Sequence, residues 1–127
     1  MKPALERILL VEDDGDIRAV ATMSLEMVGG LTVLACESGE AALAAIAGFS
    51  PQLVLLDVMM PGMNGPEVLK KLRELPACAA LPVAFMTAKV QPEEIRALLA
   101  LGVIDVIAKP FDPMALPDQV KALWERV

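Results

Sequence analysis

Short hydrophobic runs alternate along the chain with longer segments whose apolar residues recur at helical spacing. The runs occupy residues 7–11, 31–35, 53–56, 82–86 and 103–108. Runs of this length that are largely apolar on both faces are typical of strands buried inside a parallel sheet. The alternation therefore predicts an α/β fold, in which a doubly wound five-stranded parallel sheet is covered by helices on both faces.

The segments between the runs carry recognisable signals for the starts and ends of helices. Five apolar residues at helical spacing predict the first helix: Ile17, Val20, Ala21, Leu25 and Val28. Gly29 and Gly30 follow and are expected to end it. Asn64 followed by Glu67 three residues later has the form of a capping box, which predicts the start of the third helix.

The last helix poses a conflict between two prolines. Asp112 and Pro113 look like a cap and a first turn, but Pro117 follows four residues later. A proline inside a helix lacks the N–H that bonds the preceding turn, and its ring crowds that carbonyl. We therefore predict a turn or 3₁₀ segment at residues 113–115, with Pro117 in the first turn of the regular helix.

Polar residues stand where the hydrophobic runs end. Asp13 and Asp14 follow the first run, Asp57 the third, Thr87 the fourth and Lys109 the fifth. Because the carboxyl ends of parallel strands meet at one edge of the sheet, these side chains should lie close together. Three acids, one hydroxyl and one lysine suit a divalent cation and a phosphoryl group.

Composition narrows the possible functions. The 127 residues are of single-domain size, and 17 acids against 11 bases give a net charge of −6, which argues against direct nucleic-acid binding. The absence of histidine excludes histidine-based catalysis and histidine metal sites. Cys36 and Cys78 do not have the spacing of a metal site. They are expected to be reduced, packed thiols in a cytoplasmic protein. No apolar run reaches the ~18 residues of a membrane span, so no membrane association is expected.

Four segments together resemble the receiver domain of two-component response regulators. They are residues 11–14 (VEDD), 57–65 (DVMMPGMNG), 86–88 (MTA) and 109–111 (KPF), in this order and each at a strand end. The resemblance covers about residues 7–123. It implies the flavodoxin-like strand order 2-1-3-4-5 with five flanking helices, and a single receiver domain over residues 1–127 without an effector domain.

The same resemblance implies a role for each polar residue. Asp57 would be the phosphoacceptor, a carboxylate nucleophile that forms an acyl phosphate. Thr87 would hydrogen-bond a phosphoryl oxygen, and Lys109 would place its ammonium against Asp57 and then against the phosphoryl group. The bond between Lys109 and Pro110 would be cis.

A divalent cation, Mg²⁺ or else Mn²⁺, would be held at the same place. Its ligands would be the carboxylates of Asp13, Asp14 and Asp57 and the backbone carbonyl of Met59. Asp14 has a second possible role as the N-cap of the first helix, and both roles are compatible. A cation would remove the repulsion among these carboxylates.

The chain departs from the family at one position. The residue three before the lysine is usually Tyr or Phe in receivers, and here it is Val106. The aromatic part of the usual switch is therefore absent, and signalling through the fourth helix and its neighbouring loops is expected instead. Met59 and Lys89 occupy positions that tune hydrolysis of the phosphoryl group in the family.

Partners also follow from the resemblance. A sensor histidine kinase or a histidine phosphotransfer domain would donate the phosphoryl group, and a downstream protein would receive the signal. Met23 and Met27 lie off the apolar face of the first helix and suit either partner docking or loose packing. Whether the chain acts alone or within a larger regulator stays open, as does its oligomeric state.

Three other functions fit parts of the pattern less well. A haloacid-dehalogenase-type phosphatase needs a second aspartate two residues after the nucleophile, where this chain has Met59. A flavodoxin-like carrier of flavin mononucleotide binds phosphate in its first loop, and here Glu12, Asp13 and Asp14 would repel a phosphate. A pseudo-receiver would lack one of the five site residues, and all five are present.

Overall fold

The computed structural model describes residues 2–127 and contains one parallel sheet flanked by five α-helices. The strands are Arg7–Val11 (β1), Thr32–Cys36 (β2), Leu53–Asp57 (β3), Val83–Thr87 (β4) and Asp105–Ala108 (β5). The helices are Gly15–Met23 (α1), Gly39–Phe49 (α2), Gly65–Glu74 (α3), Pro92–Leu99 (α4) and Leu116–Glu125 (α5). Strand and helix alternate from β1 to α5, as predicted.

The strands are ordered β2-β1-β3-β4-β5, and every neighbouring pair is parallel. The predicted doubly wound, flavodoxin-like sheet is confirmed. All residues of β3 and β4 are buried, which agrees with the prediction that the central strands are apolar on both faces. The carboxyl ends of β1, β3, β4 and β5 lie at one edge, where the ligand chemistry of such sheets takes place.

Alternation along the strands divides the interior into two cores. Ile8 and Leu10 of β1 pack into one core, beneath α1 and α5, together with Trp124. Leu9 and Val11 pack into the other core, beneath α2 and α3. Because successive side chains of a strand point to opposite faces, one buried strand contributes to both cores.

The first helix changes its winding before it ends. It is α-helical over Gly15–Met23 and then forms a π-helical turn over Ser24–Val28. Ala21 and Leu25 are buried as predicted, but Val20 and Val28 are 44% and 48% exposed. The five apolar residues at helical spacing therefore do not all face the core, and the π-turn over Ser24–Val28 rotates Val28 away from it.

The structure confirms the predicted start of the last helix. Residues 113–115 form turns, and α5 begins at Leu116 with Pro117 in its first turn. Leu116, Val120 and Leu123 are buried on its inner face. Because the helix begins only after this turn, Pro117 is its second residue, where the missing N–H would have no partner in any case.

Three strands begin later than predicted. β4 is shifted by one residue, to Val83–Thr87. β2 is also shifted by one residue, to Thr32–Cys36, and β5 starts at Asp105 rather than at residue 103. Buried Leu31 and Val103 precede β2 and β5 and give them the appearance of longer apolar runs. Within residues 2–127, no helix is both long and apolar enough to cross a membrane.

Candidate functional site

Asp57 is the last residue of β3 and lies at the carboxyl edge of the sheet. It is only 3% exposed. The loop after it returns sharply, and α3 begins at Gly65 with the predicted capping box between Asn64 and Glu67. A Cβ on Gly65 would stand 2.6 Å from the carbonyl oxygen of Asp57, so only glycine lets α3 approach this closely.

The end of β1 brings two further carboxylates to Asp57. One oxygen each from Glu12, Asp13 and Asp57 lies within 4.8 Å of the others. Val11 pairs in register with Leu56, so the next residue on each strand is Glu12 and Asp57 respectively. The sheet register therefore places Glu12, which is fully buried, beside the candidate phosphoacceptor.

Asp14 lies outside this group of clustered carboxylates, and its predicted role as a metal ligand stays a prediction. Its side chain accepts hydrogen bonds from the backbone N–H groups of Asp16 and Ile17, at 2.9 and 3.0 Å, and so caps α1. Of the two roles considered for Asp14, the structure therefore confirms the helix cap. Asp14 is the cap, and Glu12 takes the place beside Asp13 and Asp57.

Lys109 joins the two buried carboxylates. Its ammonium donates to Glu12 Oε1 at 2.7 Å and to Asp57 Oδ1 at 3.0 Å, and its side chain is 14% exposed. The bond between Lys109 and Pro110 is cis, as predicted. The backbone N–H of Lys109 donates to the carbonyl of Thr87 at 2.9 Å, which connects the ends of β4 and β5.

The buried group formed by Glu12, Asp57 and Lys109 has two acids and only one base. Burial, reinforced by the neighbouring Glu12, raises the pKa of Asp57 to about 7, although Lys109 acts in the opposite direction. Burial also disfavours the charged form of Lys109, but its hydrogen bonds to Glu12 and Asp57 outweigh burial and raise its pKa. An additional cation at this place would favour the ionised form of Asp57.

Thr87 ends β4 and is 1% exposed. Its Oγ1 accepts a hydrogen bond from the backbone N–H of Lys89 at 3.0 Å, within a local turn. Met59 is 58% exposed beside the site, and its proposed carbonyl ligand stays a prediction. Val106 is half-buried in β5 and pairs in register with Phe85.

The donor set fits a hard divalent cation. Mg²⁺ is bound in proteins by one or two carboxylates, with water completing the octahedron. Glu12, Asp13 and Asp57 offer clustered carboxylate oxygens, and Asp13 lies on the solvent side where water can enter. The three acids face a single lysine, so the group has an excess of negative charge that a divalent cation would balance.

Glu12 is the site residue that the sequence did not identify. Three acids in succession, Glu12, Asp13 and Asp14, follow the first hydrophobic run. The strand register decides which of them faces Asp57, and register depends on pairing between distant segments. Glu12 directly follows the first apolar run, as Asp57 directly follows the third. This shared position at the strand end is the sequence signal that would have identified Glu12.

Comparisons with known proteins match these observations. The family model described as "Response regulator receiver domain" matches residues 8–121. The DNA-binding response regulator MtrA of Mycolicibacterium paratuberculosis is 38% identical over 95% of this chain and 52% of the relative. The phosphate regulon transcriptional regulatory protein PhoB of Pseudomonas aeruginosa is 35% identical over 94% of this chain and 52% of its own length. The chain thus spans about half the length of these curated relatives.

A solved structure shows the same fold. The chemotaxis protein CheY4 of Vibrio cholerae superposes with a TM-score of 0.86 and 28% sequence identity. The match covers 94% of this chain and 99% of that chain. The likeness therefore extends over the whole sheet and its five helices.

Proposed function

The chain belongs to the response regulator receiver domain family, and from this premise we propose that Asp57 is the residue that accepts the phosphoryl group. Receivers are the phosphoryl-acceptor domains of two-component signalling. One observation carries the assignment. Asp57 is a buried carboxylate at the carboxyl end of the central strand, bonded by Lys109 and flanked by two other acids.

The proposed reaction transfers a phosphoryl group from a histidine nitrogen of the donor to a carboxylate oxygen of Asp57. An Asp57 carboxylate oxygen forms a bond to phosphorus, and the P–N bond of a phosphohistidine donor breaks with its electron pair remaining on the imidazole nitrogen. Lys109 then pairs with the negative charge of the phosphoryl group, and the Thr87 hydroxyl donates to one of its oxygens. Positioning and charge neutralisation are the main requirements of such a transfer, and acid–base groups are less important.

Glu12, Asp13 and Asp57 would hold Mg²⁺, with Mn²⁺ as an alternative and the Met59 carbonyl as a further ligand. When bound, the cation neutralises charge on the carboxylates and on the incoming phosphoryl oxygens. In this arrangement Asp14 supports the site through its cap on α1. The chain would catalyse only its own phosphorylation and dephosphorylation.

The phosphoryl donor docks on an apolar surface beside the site, formed by the helix that follows β1 and the loop before α5. Four residues of this docking surface are strongly exposed: Val20 (44%), Met23 (57%), Met27 (79%) and Met114 (69%). It contains a groove of about 320 Å³ lined by Val20, Met23, Met27 and Met114 among others, and Val20 also borders a second cavity of about 220 Å³ beside Lys109. Receivers interact with histidine kinases, and a kinase or phosphotransfer helix with an apolar face would fit here.

We propose that α4 passes the signal on to a downstream protein partner. All residues of α4 keep some exposure to solvent, so little packing energy holds the helix in one position. The Thr87–Lys89 turn leads directly toward α4, and Val106 adds no ring that would move with Thr87. We place the phosphorylation-dependent change in this turn and in α4, where a downstream protein partner would read it.

The setting of this activity is also part of the proposal. We place the domain in the cytoplasm, where Cys36 and Cys78 would stay reduced; both are free and buried. The curated relatives named as DNA-binding are about twice as long as this chain. With a net charge of −6, the receiver itself would make no direct contact with nucleic acid or membrane.

Acetyl phosphate tests the proposal without a kinase. With Mg²⁺, intact-mass spectrometry should show one added phosphoryl group on the wild-type chain. The same reaction with Asp57→Asn, or with wild type and a chelator, should show none. Undiminished labelling of Asp57→Asn would move the acceptor elsewhere, and an unlabelled wild-type chain would indicate a receiver that only binds partners.

A further inference from the structure

We propose that Arg18 is a positioning residue for the cation-binding carboxylates, which deepens the function proposed above and rests on it. Arg18 lies in the first turn of α1, four residues after Asp14. Its side chain turns back over Gly15, where an added Cβ would lie 3.7 Å from Nη2. Nη1 donates to the carbonyl of Glu12 at 2.9 Å and to that of Asp13 at 3.3 Å.

These two bonds hold the backbone that carries two of the three acids. Neither carbonyl receives any other hydrogen bond from residues 2–127. Glu12 and Asp13 lie beyond the last residue of β1, and the N–H of Glu12 still donates to the carbonyl of Cys36 at 3.0 Å. The carbonyls of Glu12 and Asp13 have no such partner on a neighbouring strand, so Arg18 is what restrains them.

Arg18 leaves the carboxylates free. It forms no ion pair among the residues that the structure describes, whereas Lys109 bonds both Glu12 and Asp57 directly. A guanidinium that bonded these carboxylates would compete with a divalent cation for the same oxygens. By bonding main-chain carbonyls, Arg18 fixes the ligands without occupying any ligand atom.

The rigid guanidinium of arginine suits this task better than a lysine ammonium does. Nη1 makes both bonds, and its two N–H groups are fixed in the guanidinium plane, whereas an ammonium rotates at the end of a flexible stem. Loss of a group that orients metal ligands typically weakens metal affinity by about 10–100-fold. We expect Arg18→Ala to raise the Mg²⁺ dissociation constant by about 10-fold.

Arg73 provides a matched control. Its Nη1 also donates to two backbone carbonyls, those of Cys78 at 3.0 Å and Leu81 at 2.7 Å. These lie before β4, at the opposite edge of the sheet from Asp57. Arg73→Ala thus removes a contact of the same kind without touching the site, and it should lower stability while leaving Mg²⁺ affinity unchanged.

The test is a Mg²⁺ titration followed by backbone amide chemical shifts on wild type, Arg18→Ala, Arg18→Lys and Arg73→Ala. Arg18→Ala should bind about 10-fold more weakly, and Arg18→Lys should recover part of the loss. At saturating Mg²⁺, acetyl phosphate should label Arg18→Ala at nearly the wild-type rate, since Arg18 touches no reacting atom. A general loss of structure would not separate affinity from rate in this way.

The outcomes separate this inference from the proposed function. Wild type that binds no Mg²⁺ would remove the cation site and the inference with it. Wild-type affinity in Arg18→Ala, or an equal loss in Arg73→Ala, would overturn the role of Arg18 alone. If Arg18→Ala does not fold, Arg18→Lys decides, because lysine lacks the rigid guanidinium plane that holds both carbonyls and weaker binding is still expected.

Discussion

At the scale of single residues, the balance of charge around Asp57 governs both binding and stability. Glu12 and Asp57 are buried carboxylates that share one lysine. Removing either partner of such a group leaves uncompensated charge, which is costly in a buried place. The residues that make the site reactive therefore also make the metal-free protein less stable at neutral pH.

We predict that metal-free stability falls as pH rises from about 4 to about 7. The pKa of Asp57 is raised from 3.8 to about 7 in the folded chain, chiefly by burial, so folding takes up a proton between these values. Stability is then lost as that proton leaves. Urea unfolding with a chelator should show the loss, on the order of a few kcal/mol, and Asp57→Asn should lack it. Equal pH dependence in both proteins would contradict the assignment.

A second residue-scale prediction separates Glu12 from Asp14. Glu12→Gln should abolish most of the rise in melting temperature that Mg²⁺ causes, because it removes a carboxylate of the buried cluster. Asp14→Asn should keep the rise, since asparagine caps a helix as well as aspartate does. Asp14→Ala should lose about 1 kcal/mol with or without Mg²⁺. A Mg²⁺ response lost in Asp14→Asn and kept in Glu12→Gln would restore Asp14 as the ligand.

At the scale of elements, the π-turn at the end of the first helix accompanies contacts between this helix and the start of the last one. Ser24 donates its hydroxyl to the carbonyl of Pro113, and Gly29 lies against Pro117. The π-turn between Ser24 and Gly29 brings both contacts into place. These contacts hold the loop before α5 beside the first helix, and the two together form the proposed docking surface.

We predict that Gly29→Ala destabilises the fold by about 1–3 kcal/mol. A Cβ on Gly29 would lie 2.6 Å from the carbonyl oxygen of Leu25 and 2.9 Å from Cβ of Pro117, so backbone must move. Gly48→Ala is the control, since a Cβ there meets nothing within 4 Å in α2, and it should stabilise by about 1 kcal/mol. Urea unfolding measures both. An unchanged midpoint in Gly29→Ala would show that the two helices are not closely packed.

At the scale of the whole molecule, the fold could be predicted from the sequence because its signals are local. The continuous apolar runs of β1 and β3 mark strands buried on both faces, and the Asn64 capping box and Pro117 mark helix starts. Features that depend on distant contacts could not be predicted. The choice of Glu12 over Asp14 follows from the pairing of β1 with β3, and the π-turn accompanies the contact of Ser24 with Pro113.

The most direct test of the account is to locate the phosphoryl group chemically. Wild-type protein would be phosphorylated with acetyl phosphate and Mg²⁺ and reduced with borohydride, which converts an aspartyl phosphate to homoserine. Tandem mass spectrometry would then identify the converted residue. The account predicts homoserine at position 57 alone, with none when Mg²⁺ is chelated. Homoserine at position 13 or 14, or conversion at position 57 that does not depend on a divalent cation, would contradict it.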